Sequence, residues 1–296
     1  MRAVIINADD LGVCESTNLA IAEAHRRGIL TSASLMANGS AFDHAIATVV
    51  NPNPRLGIGL HLALTSTGRA LSPPDGIPLL ADAQGQFRHG FLSLYRLTLS
   101  RPVEVLNEIE REACAQFDRV VTRGIAIDHV DSHRHVHMIP RIFAVVAQVA
   151  RRYGCDTIRM SDEPLASLRP MLHLSSVPRL LGNLPKKIVL STLARRNRSA
   201  ARTFRVARRT FGILGSGRMD RRALIAALSG DLNGVTEVIT HPGSGDGDLP
   251  GATAAERRFL TSADRRAELL ALLDPDVRDH LQARAGLGTR FADLAN

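Results

Sequence analysis

The sequence predicts an α/β fold built on a parallel sheet, and three observations carry that expectation. Short β-branched apolar runs alternate with amphipathic stretches over most of the chain, the pattern of strands joined by crossover helices. Polar residues, namely Asp9, Asp10, Asn38, His61, His133 and His241, stand where the apolar runs end. In β/α barrels and open α/β sheets, sites form at that C-terminal strand edge. The chain of 296 residues shows no internal repeat and no linker, and it can bury a substantial core. Residues 1–296 are therefore expected to form a single domain.

Each element follows from local pattern. Residues 3–7 (A-V-I-I-N) read as a buried parallel strand meeting a functional loop. Leu19, Ile21, Ala22 and Ala24 give 18–27 helical spacing, and Gly28 is a helix stop. A second strand is expected at 30–36, a helix at 41–50 ended by the Pro/Asn cluster 51–54, and a third strand at 56–62 carrying His61. Residues 72–88, rich in Pro, Gly and Asp, read as a loop excursion. An amphipathic helix follows at 102–121, then a strand at 125–133 and a helix at 141–153. Short strands at 157–160 and 236–240 and helices at 264–273 and 275–284 complete the pattern.

Composition is that of a globular protein, with 45% hydrophobic and 22% charged residues. No apolar run approaches the roughly 18–20 residues of a membrane span. The apolar N-terminus meets Asp9 and Asp10 too early for a signal peptide, so a cytoplasmic location is expected. Cys14, Cys114 and Cys155 have no metal-type spacing and read as reduced structural thiols. Having no Trp and only two Tyr argues against a base-stacking platform, and no nucleic acid is expected as a partner.

The net charge of +8 is local. Between Pro164 and Met219 there is no Asp or Glu, whereas 12 of the 37 basic residues fall there. The other 25 face 29 acids, so the rest of the chain is slightly acidic. The window 165–219 reads as a basic insertion or lid. Within it, Val189, Leu193, Phe204, Ala207 and Phe211 approximate one helical face ringed by arginines. Such a stretch, 186–211, suits peripheral contact with an anionic membrane at its inner face; the plainer reading is a solvated helix pair over the sheet rim.

The densest chemistry lies at 127–140, where four of the 11 histidines fall within nine residues. In an extended strand His129, Asp131, His133, His135 and His137 share a face. A dry core could not satisfy so many imidazole nitrogens, and neutral imidazole is the commonest metal ligand and a natural proton carrier. The expectation is a metal or acid–base site, against a hydrogen-bonded network of structural histidines. Asp9 and Asp10 point to opposite sides unless a bend, helped by Gly12, brings both to one place. There they suit a metal ligand and a general base; otherwise they cap the next helix. His61 by itself reads more readily as a satisfied core histidine than as a ligand, and His241 equally as part of a turn.

Together these segments carry a family signature. N-A-D-D-L-G at 7–12, G-L-H-L at 59–62, D-S-H-R-H-V-H-M at 131–138 and H-P-G at 241–243 occur in order. The set resembles the YdjC-like carbohydrate deacetylases, the ChbG/HpnK family. Residues 28–34 and 158–164 also look like family segments, so the likeness covers 2–164 and 236–243. Leu11 departs from the usual Phe, and the basic window has no counterpart.

The resemblance implies a distorted, TIM-barrel-like (β/α) barrel holding one divalent metal ion, Zn²⁺ or Mg²⁺, with Mn²⁺ and Co²⁺ also accepted. Asp10, His61 and His133 would be the ligands, with His135 the alternative third. Asp9 would be the general base and His241 the general acid. Asn38, Asp131, His135, His137, Arg159 and Glu163 would touch substrate or support the ligands. The reaction implied removes acetyl from an N-acetylated amino sugar: an N-acetylglucosamine-type glycoside, a chito-oligosaccharide or, as in the hopanoid branch, a glycolipid. Two rivals use the same residues, a metal-dependent phosphoesterase and a non-catalytic metal-binding protein. Oligomerisation is compatible with every reading.

Overall fold

The computed structural model describes residues 2–65, 68–164, 177–247, 252–286 and 288–294, with the backbone alone for 177–181. Part of the basic window, 165–176 with Arg169, lies outside the described residues. Six parallel strands form one curled sheet in the order β4-β3-β2-β1-β6-β5. They are β1 (Arg2–Leu11), β2 (Ser32–Leu35), β3 (Gly57–Leu62), β4 (Val130–Ser132), β5 (Arg209–Phe211) and β6 (Gly234–Thr240). Single bridges tie Val130 to Ile158 and Thr157 to Arg205, so the chain around Thr157 links the two edges of the sheet. This half-barrel fits a distorted β/α architecture.

Helices cover the sheet: α1 (Glu15–Arg27), α2 (Phe42–Ala45), α3 (Phe91–Ser100), α4 (Pro102–Val121), α5 (Pro140–Arg152), α6 (Val177–Ala201), α7 (Arg221–Ser229), α8 (Ala254–Leu260), α9 (Ala263–Leu273) and α10 (Pro275–Ala285). On α4 the buried residues Val105, Ile109, Ala113, Phe117 and Val120 form the stripe that its spacing foretells. Glu108, Glu112 and Gln116 are buried on the same helix. Their oxygens accept the backbone N–H groups of Leu79 and Leu80, Leu71 and Ser72, and Ala63 respectively. The loop excursion is thus anchored by carboxylates that take the place of water for its backbone.

Three expectations change. The strand foreseen at 125–133 is only Val130–Ser132, because His133–Met138 winds into a 3₁₀ turn. The arginine-ringed face foreseen across 186–211 is not one helix: α6 stops at Ala201, and Phe211 pairs with β6 inside the sheet. Its apolar members are divided accordingly, with Leu193, Phe204, Ala207 and Phe211 buried and Val189 exposed. Helices α3, α7 and α8 carry no strong signal in the sequence and were not anticipated.

Close approach at β3 sets a demand on one glycine. A Cβ on Gly59 would lie 2.2 Å from the ring of His129, which is buried between Asp128 and Ser34. Gly59→Ala should therefore overpack the sheet and cost about 1–3 kcal/mol. A lower urea midpoint at unchanged slope is expected; an unchanged midpoint would show that His129 moves aside freely.

Candidate active site

The strand ends converge on a cavity of about 210 Å³ lined by Asp9, Asp10, His61, His133, His135, Lys186, His241 and Phe259, among others. That is below the roughly 300–1,000 Å³ of drug-sized ligand sites. The cavity therefore encloses one small group and leaves the rest of a larger ligand outside.

Asp9 and Asp10 reach it through a bend in β1. The β1–β2 register shifts between Ala8 and Leu11, and Asp10 itself sits at φ 68, with Gly12 at φ 90. A non-glycine residue in left-handed conformation is costly and marks a constrained site. The bend begins two residues earlier than Gly12 alone would place it.

Asp10, His61 and His133 form one group whose donor atoms lie within 4.8 Å of one another. Asp10 Oδ1 is 3.3 Å from His133 Nδ1 and 3.6 Å from His61 Nε2. Asp10 Oδ2 faces Arg265, at 3.4 Å. Burial opposes ionisation of Asp10, yet the hydrogen bond and charge of His133, together with His241 and Arg265, outweigh it and hold the carboxyl well below the carboxylate range. A second group, Asp9, His61 and Asp131, is equally compact. The Arg159 guanidinium contacts both of its carboxylates, so a divalent ion there would meet a fixed positive charge. One carboxylate and two imidazoles make a chemically apt donor set at the first group. His135, the alternative ligand, lies outside both groups; its Nδ1 is 2.9 Å from Ser161 Oγ.

Arg159 is fully buried. It donates to Asp9 at 2.8 and 3.0 Å and to Glu237 at 2.8 Å, and it pairs with Asp131. Asp131 in turn accepts from His61 Nδ1 at 2.7 Å and from Ser34 Oγ at 2.9 Å. His61 is pulled two ways: burial lowers its pKa, but Asp131, Asp9 and Asp10 prevail and raise it to about 9. The bond from Nδ1 to Asp131 leaves Nε2 facing Asp10.

The remaining histidines fan out rather than share a face, because Arg134 and His135 both take φ 56 within the turn. His137 is 2.9 Å from the Arg159 carbonyl and 2.5 Å from Ser132 Oγ, and burial lowers its pKa to about 4. Those two bonds assign it as a neutral imidazole with Nε2–H. His129 bonds Asp128 and Ser34 behind β3. The turn therefore brings His133 and His135 to the cavity and leaves His129 and His137 in the framework. Glu163 accepts from the N–H groups of Ile213 and Leu214, tying down the loop after β5. Asn38 is buried just after β2 and is not among the cavity-lining residues.

His241, next after β6, places Nε2 3.9 Å from Asp9 Oδ2, and burial lowers its pKa to about 4. Sequence reasoning missed Glu237, Arg265 and Glu268. Their signal was present: a Glu inside the apolar run of β6, and an Arg and Glu three apart on the inner side of α9.

The chain matches the YdjC-like protein family over residues 3–283 and belongs to that family. It is 43% identical over 150 residues to a carbohydrate deacetylase of Brevibacillus brevis, covering 51% of this chain and 56% of that protein. A carbohydrate deacetylase of Geobacillus stearothermophilus is 39% identical over 169 residues, 57% of this chain and 62% of its own. A chitooligosaccharide deacetylase of an Enterobacter species is 41% identical over 155 residues, 52% and 57% respectively. The chain thus spans under two thirds of the length of these relatives. Among solved structures, a protein of Enterococcus faecalis described as a candidate cellobiose-phosphate cleavage protein superposes with a TM-score of 0.71. That likeness covers 100% of this chain and 99% of the other at 22% identity, and it is one of fold.

Because Asp131 orients His61 rather than facing the cavity, Asp131→Asn should weaken Zn²⁺ binding about 10–100-fold if Asp10, His61 and His133 are the donors. Isothermal titration with Zn²⁺ reads this directly. Unaltered affinity would mean that the His61 ring is held by packing alone.

Proposed function

We propose that this chain is a metal-dependent deacetylase of N-acetylated amino sugars, with chito-oligosaccharides, N-acetylglucosamine glycosides or glycolipids as the substrate class. The observation that carries the reading is the Asp10–His61–His133 donor set beside Asp9, with His241 across the same cavity. The names of the relatives give the reading its chemistry.

The three donors would hold one divalent ion; the ligand types suit Zn²⁺, while Mg²⁺, Mn²⁺ and Co²⁺ also accept them. When bound, the ion supplies a Lewis acid for a water molecule and for the acetyl carbonyl. Asp9 serves as the general base. Arg159 and the Asn7 amide, at 2.9 Å, fix its orientation, and its ionised form leaves lone pairs to take a proton. His241 Nε2 faces the same point from β6 and delivers a proton to the departing nitrogen. Asp9→Asn keeps the shape of the carboxyl and removes the base. Acetate release should fall by about 10²–10⁴-fold while metal stays bound. Loss of metal with turnover would make Asp9 a ligand instead. Phosphate release without acetate would favour a phosphoesterase, and neither product would favour a non-catalytic metal protein.

The chain is proposed as one domain in a distorted TIM-like barrel, acting in the cytoplasm, with the basic stretch closing over the rim. Lys186 of α6 lines the cavity, which supports a lid role. Exposed Ile188 and Val189 beside the arginines of α6 support peripheral contact with an anionic membrane. Among the described residues no helix is long and apolar enough to cross a membrane. Co-sedimentation with phosphatidylglycerol vesicles that fades as salt rises is expected; absence of binding at low salt would remove the membrane contact.

A further inference from the structure

Beside His241, three buried polar atoms have no hydrogen-bond partner among the described residues: His241 Nδ1, Glu268 Oε1 and Arg265 Nε. They belong to one cluster. Glu268 Oε2 accepts the backbone N–H of His241 at 2.5 Å, and the Met219 N–H also bears on the carboxylate. Arg265, one turn earlier on α9, donates to the Pro242 carbonyl at 3.2 Å and reaches Asp10 at 3.4 Å. Both side chains of α9 are fully buried. Buried polar groups are nearly always paired, so this concentration of unused atoms asks for an explanation.

Chain geometry supplies one. The Nδ1 of an imidazole lies close to its own backbone nitrogen. In the rotamer that turns Nδ1 back toward the main chain, a carboxylate holding that N–H with one oxygen can offer its other oxygen to Nδ1. We infer that Glu268 is the carboxylate partner of His241, a positioning residue that holds the imidazole with Nδ1–H on Glu268 and Nε2 toward Asp9. The inference rests on the deacetylase reading of the site.

The pairing answers a difficulty in that reading. Burial holds the His241 imidazole at about 4, so alone it carries no proton to donate at neutral pH. Burial also raises the Glu268 carboxyl to about 7, so that group still binds a proton there. One proton can then serve both groups. Asp9 and Asp10 of β1, Lys186 of α6 and Arg265 of α9 are the other charges acting on His241, and Phe259 of α8 packs edge-on against its ring. In the reaction, the oxygen of water bonds the acetyl carbon while Asp9 takes one of its protons. The C–N bond breaks, its electron pair stays on nitrogen, and that nitrogen takes the Nε2 proton. Acetic acid and free amine leave, the imidazole is neutral with Nδ1–H on Glu268, and the Asp9 proton returns to it through solvent.

Glu268→Gln tests the pairing. The glutamine carbonyl can still accept the His241 N–H, but its NH₂ now faces Nδ1 and forces the other tautomer. On an N-acetylated amino sugar, kcat should fall about 100-fold or more at unchanged KM. On 4-nitrophenyl acetate, whose leaving group needs no proton, the loss should be at least about tenfold smaller. The ¹⁵N signal of His241 Nδ1 should move from a protonated to an acceptor nitrogen. Equal losses on both substrates, or an unmoved Nδ1 signal, would overturn the pairing. The nitrogen signal needs no turnover. A wild-type chain that releases no acetate while the variant still moves that signal therefore sinks the deacetylase reading and leaves the pairing standing.

Discussion

The site depends on one guanidinium. Arg159 lies fully buried among Asp9, Asp131 and Glu237, and each contact is charge-assisted. Exposed ion pairs contribute about 0–1 kcal/mol, whereas removing one partner of a buried set costs about 3–5 kcal/mol because the others are left uncompensated. The network therefore cannot be thinned one residue at a time. Its consequences spread in two directions. Asp9 is held as an oriented carboxylate, and Asp131 is held ionised, far below the carboxylate range, by Arg159 and His61 acting against burial. An ionised Asp131 keeps the proton of His61 on Nδ1 and so presents Nε2 to Asp10. The proposed base and the proposed metal ligand are set by the same cation.

The cation is itself held by backbone. Its amide donates to the Val130 carbonyl at 3.0 Å, and its carbonyl lies 2.9 Å from His137 Nε2. The residues around Arg159 also link the two sheet edges through the bridges at Thr157 and Ile158. Curvature of the sheet and orientation of the site are thus one problem with one solution. From the opposite side α9 repeats the arrangement, with Arg265 on Asp10 and Glu268 on the His241 backbone. The strained residues, Asp10, Arg134 and His135, all lie at the strand ends between these two supports. Left-handed conformations of this kind persist only where surroundings over-determine them.

Legibility in the sequence followed the strength of the periodic signal. The helix at 102–121 was readable to the residue because a continuous stripe of Val105, Ile109, Phe117 and Val120 has a single interpretation. The histidine run misled because alternation presumes an extended backbone, and two left-handed residues after Ser132 abolish it. His133 lines the cavity, and motif order rather than a shared face is what singles it out in the sequence. Arg265, Glu237 and Glu268 went unread because a charge is ordinarily assigned to solvent, and only tertiary partners overturn that. Strand β5 was hidden inside the acid-free window, where charge composition masked the run Arg209–Phe211.

Charge balance explains why so polar a centre can be buried. Among the described residues it gathers five carboxyls (Asp9, Asp10, Asp131, Glu237 and Glu268) against two guanidiniums, Arg159 and Arg265. Fully ionised, these seven groups would carry a net −3 in a setting that strongly penalises uncompensated charge. The chain relieves part of this itself. His61 binds protons up to about 9, and burial raises the Glu268 carboxyl to about 7, so the pair it forms with His241 shares a proton. Both devices place positive charge, or remove negative charge, next to the group formed by Asp10, His61 and His133 or behind His241. A divalent cation at that group would provide the same compensation more compactly and would displace the His61 proton in doing so. The electrostatic deficit that makes the carboxylate cluster costly is thus the same quantity that would give the ion its affinity.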